Sequence, residues 1–189
     1  VATTLTLGIG GCQTATVDQP LTADSAGNDP AAQLQFWHSL SQRPVTSNDE
    51  AFHALLLYLD GQDSASGYEQ RVELLTQRGV LPEGFDRPGN EAVQRGTLAV
   101  ALVKAAQIKG GVMMRLIGPT ERYAVRELQY VGVFPPSGTH QTFSGGEFLD
   151  VLGRIEDYQL RANFKASAQQ LSAHEGSSST GGGAHSEKR

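Results

Sequence analysis

Reactive side chains are few in this chain, and their spacing narrows the chemistry open to it. Cys12 is its only cysteine, so no internal disulfide can form and the thiol has no second sulfur to share a metal or redox step. His38, His53, His140, His174 and His185 lack HExxH or any comparable ligand spacing, and we expect no metal site and no cofactor. Neither a nucleophile elbow, a phosphate loop nor a dinucleotide fingerprint occurs. Gly110-Gly111 before Val112-Met113-Met114 has no strand-to-helix setting and reads as a turn. Glu156-Asp157 and Glu121 with Glu127 are carboxylate pairs of the kind surface helices carry routinely, and no catalytic residue is assigned.

Binding chemistry is more visible than catalysis. Lys109 to Arg126 combines Lys109, Arg115, Arg122 and Arg126 with Met113, Met114 and Tyr123 between glycine turns. One reading makes this an inter-repeat loop whose methionines fill the core. The other makes it a recognition surface, with arginines for carboxylates and thioether and aromatic groups for adaptable apolar contact. The candidate glycan- or partner-binding residues are therefore Arg95, Arg115, Arg122, Tyr123 and Arg126.

Cys12 follows Leu7-Gly8-Ile9-Gly10-Gly11, and Val1 to Gly11 carries no charge. This arrangement resembles a bacterial lipoprotein signal peptide, cut before a cysteine that then receives lipid, with 1–11 as the remnant of an apolar signal core. The resemblance implies lipidation of Cys12 and a lipid anchor in the cell envelope. Two or three acyl chains hold stably where one does not, because each buried methylene adds about 0.8 kcal/mol. Gln13, in place of an aspartate, implies the outer membrane, facing the periplasm. The alternative is an ordinary apolar amino terminus with a buried or free thiol. Residues 12–29 read as a flexible tether, with a coil average of about 23 Å between residues 13 and 29.

A net charge of -5, with scattered arginines, provides no basic footprint for nucleic acid. The leucines, valines and aromatics concentrate between 34 and 164, where apolar spacing is helical. Asp29-Pro30 opens a first helix carrying Leu34, Phe36, Trp37 and Leu40. Ser47-Asn48-Asp49-Glu50 opens a second, which stops at Asp60-Gly61. A third begins at Ser66 or Gly67 and stops before Gly79. A fourth runs from an Asn90 cap towards Lys109-Gly110, and Gly111 to Ile117 reads as a short strand. A fifth spans Glu121 to Val131, and a sixth runs from Ser144 to about Lys165. The domain is thus 30–165, followed by a disordered tail over 166–189 that is too poor in apolar residues to fold alone.

Two stretches repeat. Leu75-Thr-Gln-Arg-Gly79-Val-Leu-Pro82 lies 53 residues before Leu128-Gln-Tyr-Val-Gly132-Val-Phe-Pro135, and each closes a helix with glycine before two apolar residues. The next helix openings, Val93 to Leu98 and Phe143 to Phe148, are 50 residues apart, and Ser47 to Leu56 fits the same pattern. Stacked helical hairpins sharing one core follow from a repeat of this length.

Over about residues 45–158 the chain resembles the S-layer homology domains of bacterial envelope proteins. That resemblance implies an all-α fold of helical hairpins in pseudo-threefold arrangement. In the family the helix opening usually reads Thr-Arg-Ala-Glu, and its arginine helps bind acidic cell-wall polysaccharide. Here only Gln94-Arg95-Gly96 keeps the arginine; the other openings read Ser47-Asn48-Asp49-Glu50 and Ser144-Gly145-Gly146-Glu147. The expected function is non-catalytic: a membrane-anchored lipoprotein that binds or organises a cell-wall component. The rivals are an interaction subunit of a membrane protein complex and, third, a glycan-acting enzyme with two convergent carboxylates.

Overall fold

Side-chain caps set three of the helix starts. A computed structural model describes residues 14–22 and 27–178, which run through helices α1 (Pro30–Ser41), α2 (Asn48–Asp60), α3 (Tyr68–Gln77), α4 (Arg95–Ala105), α5 (Val112–Ile117), α6 (Glu121–Tyr130) and α7 (Gly145–Ser178). The Asp29 carboxylate accepts from the Ala31 and Ala32 N–H groups at 3.1 and 3.0 Å, and Pro30 takes the first position, where no N–H is needed. At α2 the Glu50 N–H donates to Ser47 Oγ (3.2 Å) while Ser47 N–H donates to Glu50 Oε2 (2.8 Å). Ser144 and Glu147 repeat this reciprocal cap at α7, at 3.2 and 3.0 Å.

Two helix ends use one device. Gly79 has φ +67° and Gly132 φ +80°, a left-handed turn that costs other residues more. Beyond Gly79 the Val80 and Leu81 N–H groups both reach the Leu75 carbonyl (2.9 and 3.2 Å). Beyond Gly132 the Val133 and Phe134 N–H groups both reach that of Leu128 (2.8 and 3.0 Å). All six of these apolar side chains are buried. Each turn thereby satisfies helix-end backbone groups while steering two side chains inward.

Backbone bonds join the three helix openings in a ring. Asn48 N–H donates to Glu91 O (2.8 Å) and Asp49 N–H to Gly89 O (2.9 Å). Arg95 N–H donates to Gln141 O and Gly96 N–H to Thr139 O, both at 2.8 Å, with the same offsets one opening further on. Gly145 N–H to Arg43 O and Thr46 N–H to Phe143 O, both 2.9 Å, close the circle. Thr46, Val93 and Phe143, the equivalent residues before each opening, are at most 1 % exposed. Helices α2 and α3 pack together, α4 packs on α6, and α1 packs on α7, so the first helix completes the pair that the last opening begins.

The described residues are all-α, with single β-bridges and no longer strand. Phe36, Phe52, Phe143, Phe148, Leu98 and Leu128 are fully buried in one core, and Phe143 meets Phe134 and Phe148 edge-on at 5.6 and 6.3 Å. Truncating such a phenylalanine to alanine costs about 3–5 kcal/mol.

Several expectations differ from this structure. The fourth helix starts at Arg95, not after Asn90, because the Arg95 and Gly96 N–H groups, which a helix from Asn90 would bond back to Glu91 and Ala92, donate instead to Gln141 O and Thr139 O, both at 2.8 Å. Gly111 to Ile117 is no strand: Val112–Ile117 is helix α5, opened after Gly111 and closed where the Gly118 N–H reaches Met114 O at 3.0 Å. Within the expected tether, Val17 N–H donates to Asn90 O (2.8 Å), Leu21 N–H donates to Glu50 Oε1 (3.1 Å), and Thr22 is buried with its hydroxyl on Asp49. Residues 14–22 are therefore docked rather than free. The last helix passes Lys165 and runs to Ser178, through residues expected to lack structure. Val1 to Gly11, Cys12 and residues 179–189 lie outside the described residues.

Candidate functional site

The opening positions that carry arginine in the resembled family all lie inside this molecule. Asn48 is fully buried and its Nδ2 donates to Pro88 O at 2.9 Å. Gly145 is buried so tightly that a Cβ would stand 1.6 Å from Leu40 O, which excludes any side chain without backbone movement. Arg95 is 6 % exposed; Nη2 meets Glu147 Oε1 at 3.1 Å and Nε donates to Thr142 O at 3.2 Å. Its guanidinium carbon sits 4.4 Å from the Phe143 ring centre, a cation–π contact, while Nη1 is buried without a hydrogen-bond partner. Arg95 thus ties the second opening to the third. The Ser144 N–H and then Arg95 hold the Glu147 carboxyl below the usual range, outweighing the opposing effect of burial.

The other candidate residues gather elsewhere. Arg115 is exposed on α5, Arg122 and Arg126 are exposed on α6, and Tyr123 is half-buried. Tyr123 and Arg126 line a recess of about 320 Å³ with Val112, Met113 and Tyr130. No contact among the described residues joins Arg95 to this group. Met114 is buried as a core-filling methionine should be, whereas Met113 is 46 % exposed. Of the two methionines, Met114 alone fills the core.

Two further features were not legible in the sequence. A groove of about 380 Å³ runs between the turn after α3 and the α4–α6 pair, lined by Phe85, Arg87, Thr97, Lys104, Thr120 and Glu121. Its residues come from three separated segments, so no local motif marks it. With Asp86 it offers an aromatic ring, two cations, two hydroxyls and two carboxylates, a set able to hold a polar polymer.

The second is a buried charge cluster. Arg71 Nε meets Asp63 Oδ2 at 2.6 Å and Nη1 meets Asp49 Oδ1 at 2.5 Å, while His53 Nδ1 lies 2.6 Å from the same Asp63 oxygen. Burial alone would raise the Asp63 carboxyl, but hydrogen bonds from His53 and Arg71 hold it below its ordinary value. A carboxylate on Nδ1 orients imidazole in hydrolytic triads. Here His53 is fully buried, Nε2 meets no partner, and the ring packs edge-on to Phe36 at 4.5 Å. No substrate reaches that nitrogen in this arrangement, so the cluster acts as a polar staple among α2, α3 and the Thr22 segment. Among the described residues no group of three metal-ligating side chains could hold an ion. Comparison of the chain with protein-family models, with curated proteins and with solved structures finds no match.

Proposed function

We propose that this chain is a non-catalytic lipoprotein of the bacterial cell envelope, anchored through Cys12, whose S layer homology-like helical scaffold holds a cell-wall component. The observation that supports the scaffold most directly is the ring of backbone bonds, in which the same offsets recur in two of the three links between helix openings. With Arg95 turned inward, the polymer-binding role falls to the groove, where Arg87 and Lys104 supply positive charge and Phe85 a flat apolar face. The anchor is short on this reading: Ala15 O accepts from Ala92 N–H at 2.8 Å, so lipid on Cys12 holds the core close to the outer membrane's periplasmic face.

The test has two arms. Metabolic labelling with a radioactive fatty acid should mark the wild-type protein and not Cys12→Ser; label on both would end the anchoring proposal. Purified sacculi should retain the protein, and Arg87→Ala with Lys104→Ala should weaken retention at least about tenfold, given about 1.5–3 kcal/mol for each charge-assisted hydrogen bond. Equal retention would end the polysaccharide proposal. One observation favours the rival reading of an interaction subunit: Leu160 and Phe164 on α7 are 66 % and 75 % exposed, one turn apart. Site-specific crosslinking from those positions to an envelope protein, with no retention by sacculi, would replace the first reading by the second.

A further inference from the structure

From the charge and shape of the α5–α6 surface, we infer that it docks on an anionic lipid bilayer. The inference goes beyond the groove and does not depend on lipidation of Cys12. Val112, Leu116, Ile117 and Tyr130 are 71 %, 76 %, 58 % and 86 % exposed, on two adjoining helices. On this surface the arginines stand without carboxylate partners, as Arg161 on α7 also does, whereas the other described arginines are paired. Arg43, Arg71, Arg78, Arg87, Arg95 and Arg154 each meet a carboxylate at 2.5–3.3 Å. Among the described residues Arg115, Arg122 and Arg126 meet none. The two glutamates nearby are already engaged, Glu127 by Gly111 N–H at 3.0 Å and Glu121 by the Thr97 hydroxyl at 3.4 Å. Both glutamates keep their charge, so Arg115, Arg122 and Arg126 outnumber them, and in a chain of net charge -5 this local excess of cations falls where aliphatic side chains stand out of the surface.

Aliphatic tips flanked by free arginines suit the boundary between headgroups and acyl chains, where the tips enter the apolar layer and the guanidinium groups meet phosphate. Sugar offers little to Val112, Leu116 or Ile117, which make no hydrogen bonds. A protein partner would need a pocket complementary to side chains that project from a six-residue helix. A fluid bilayer needs no such pocket.

The full chain carrying Cys12→Ser, and so unlipidated, is mixed with phosphatidylglycerol-rich or pure phosphatidylcholine vesicles and sedimented. Binding to the anionic vesicles alone, weakened by added salt, is expected. Arg122→Gln with Arg126→Gln should weaken it about 25-fold, at about fivefold per cation. Leu116→Ser with Ile117→Ser should weaken it at least about tenfold. A Tyr130→Trp chain should shift its emission to the blue on anionic vesicles. All variants share one amino terminus, and the altered side chains are exposed, so unchanged circular dichroism separates lost binding from lost fold. Binding indifferent to lipid charge, or unchanged in both double variants, overturns the inference. So does a chain that ignores vesicles and instead self-associates or couples to a protein through Leu116.

Discussion

Arg71 lies between Asp63 and Asp49 on the α2–α3 side of the molecule, with its side chain 3 % exposed, whereas Arg115, Arg122 and Arg126 stand on α5 and α6 in solvent. The same side chain is inward and doubly paired in one region, outward and unpaired in the other. In the first region, four segments share one polar network: α2 supplies Asp49 and His53, α3 supplies Arg71, the loop between them supplies Asp63, and the stretch before α1 supplies Thr22. Removing a member there strands the others in a dry interior. In the second, no group depends on the arginines for its partner. The difference divides the molecule into a part whose charges hold the fold and a part whose charges are free to meet something else.

Arg71→Ala breaks the comparison most directly. It leaves Asp63 and Asp49 buried without their cation, and should destabilise the fold by about 3–5 kcal/mol in urea denaturation. A loss below about 1 kcal/mol would mean that the cluster is a bystander and that buried and exposed arginines matter alike.

Acid titration sharpens the same point with a smaller effect. The folded Asp63 carboxyl lies below its ordinary value, so its contribution is fully present above the unfolded pKa of about 3.8 and is lost as pH falls through the lowered folded value. Stability should therefore hold from neutral pH to about pH 5 and fall below about pH 4. Asp63→Asn should be less stable at neutral pH and show a shallower acid limb. An acid limb as steep as wild type would assign that limb to other carboxylates.

Local chemistry made part of this division legible. Asp29-Pro30, Ser47 with Glu50 and Ser144 with Glu147 announce helix starts because the cap and its partner lie within one turn. Gly79 and Gly132 announce ends for the same reason. What was hidden depends on residues far apart in the chain. The delayed start of α4 comes from Gln141 and Thr139 drawing away the Arg95 and Gly96 N–H groups, and nothing near Asn90 signals it. Residues 14–22 look like a tether by composition, yet long-range bonds to Asn90, Asp49 and Glu50 fix them. Val112 to Ile117 is apolar enough to read as a strand, yet it forms a single helical stretch between Gly111 and Gly118 with Met114 turned into the core. Arg95 reads in the sequence as a binding residue, but its partner Glu147 belongs to the next opening. That pairing, invisible locally, turns a candidate ligand contact into a strut.

The smallest expected effect completes the comparison from the other side. Arg115→Gln, Arg122→Gln and Arg126→Gln together remove three charges from an exposed surface and strand no carboxylate. Each should change stability by no more than about 0.5 kcal/mol, as surface substitutions away from packed features do. Arg122 and Arg126 lie one turn apart on α6, where like charges repel by about 0.2–0.5 kcal/mol per pair, so a slight gain is the expected sign. Denaturation of the triple variant at low and high salt measures this. A loss of more than about 2 kcal/mol would show that these arginines hold α5 against α6. The surface would then be part of the scaffold, and its exposed aliphatic tips would have to be explained without a charged partner.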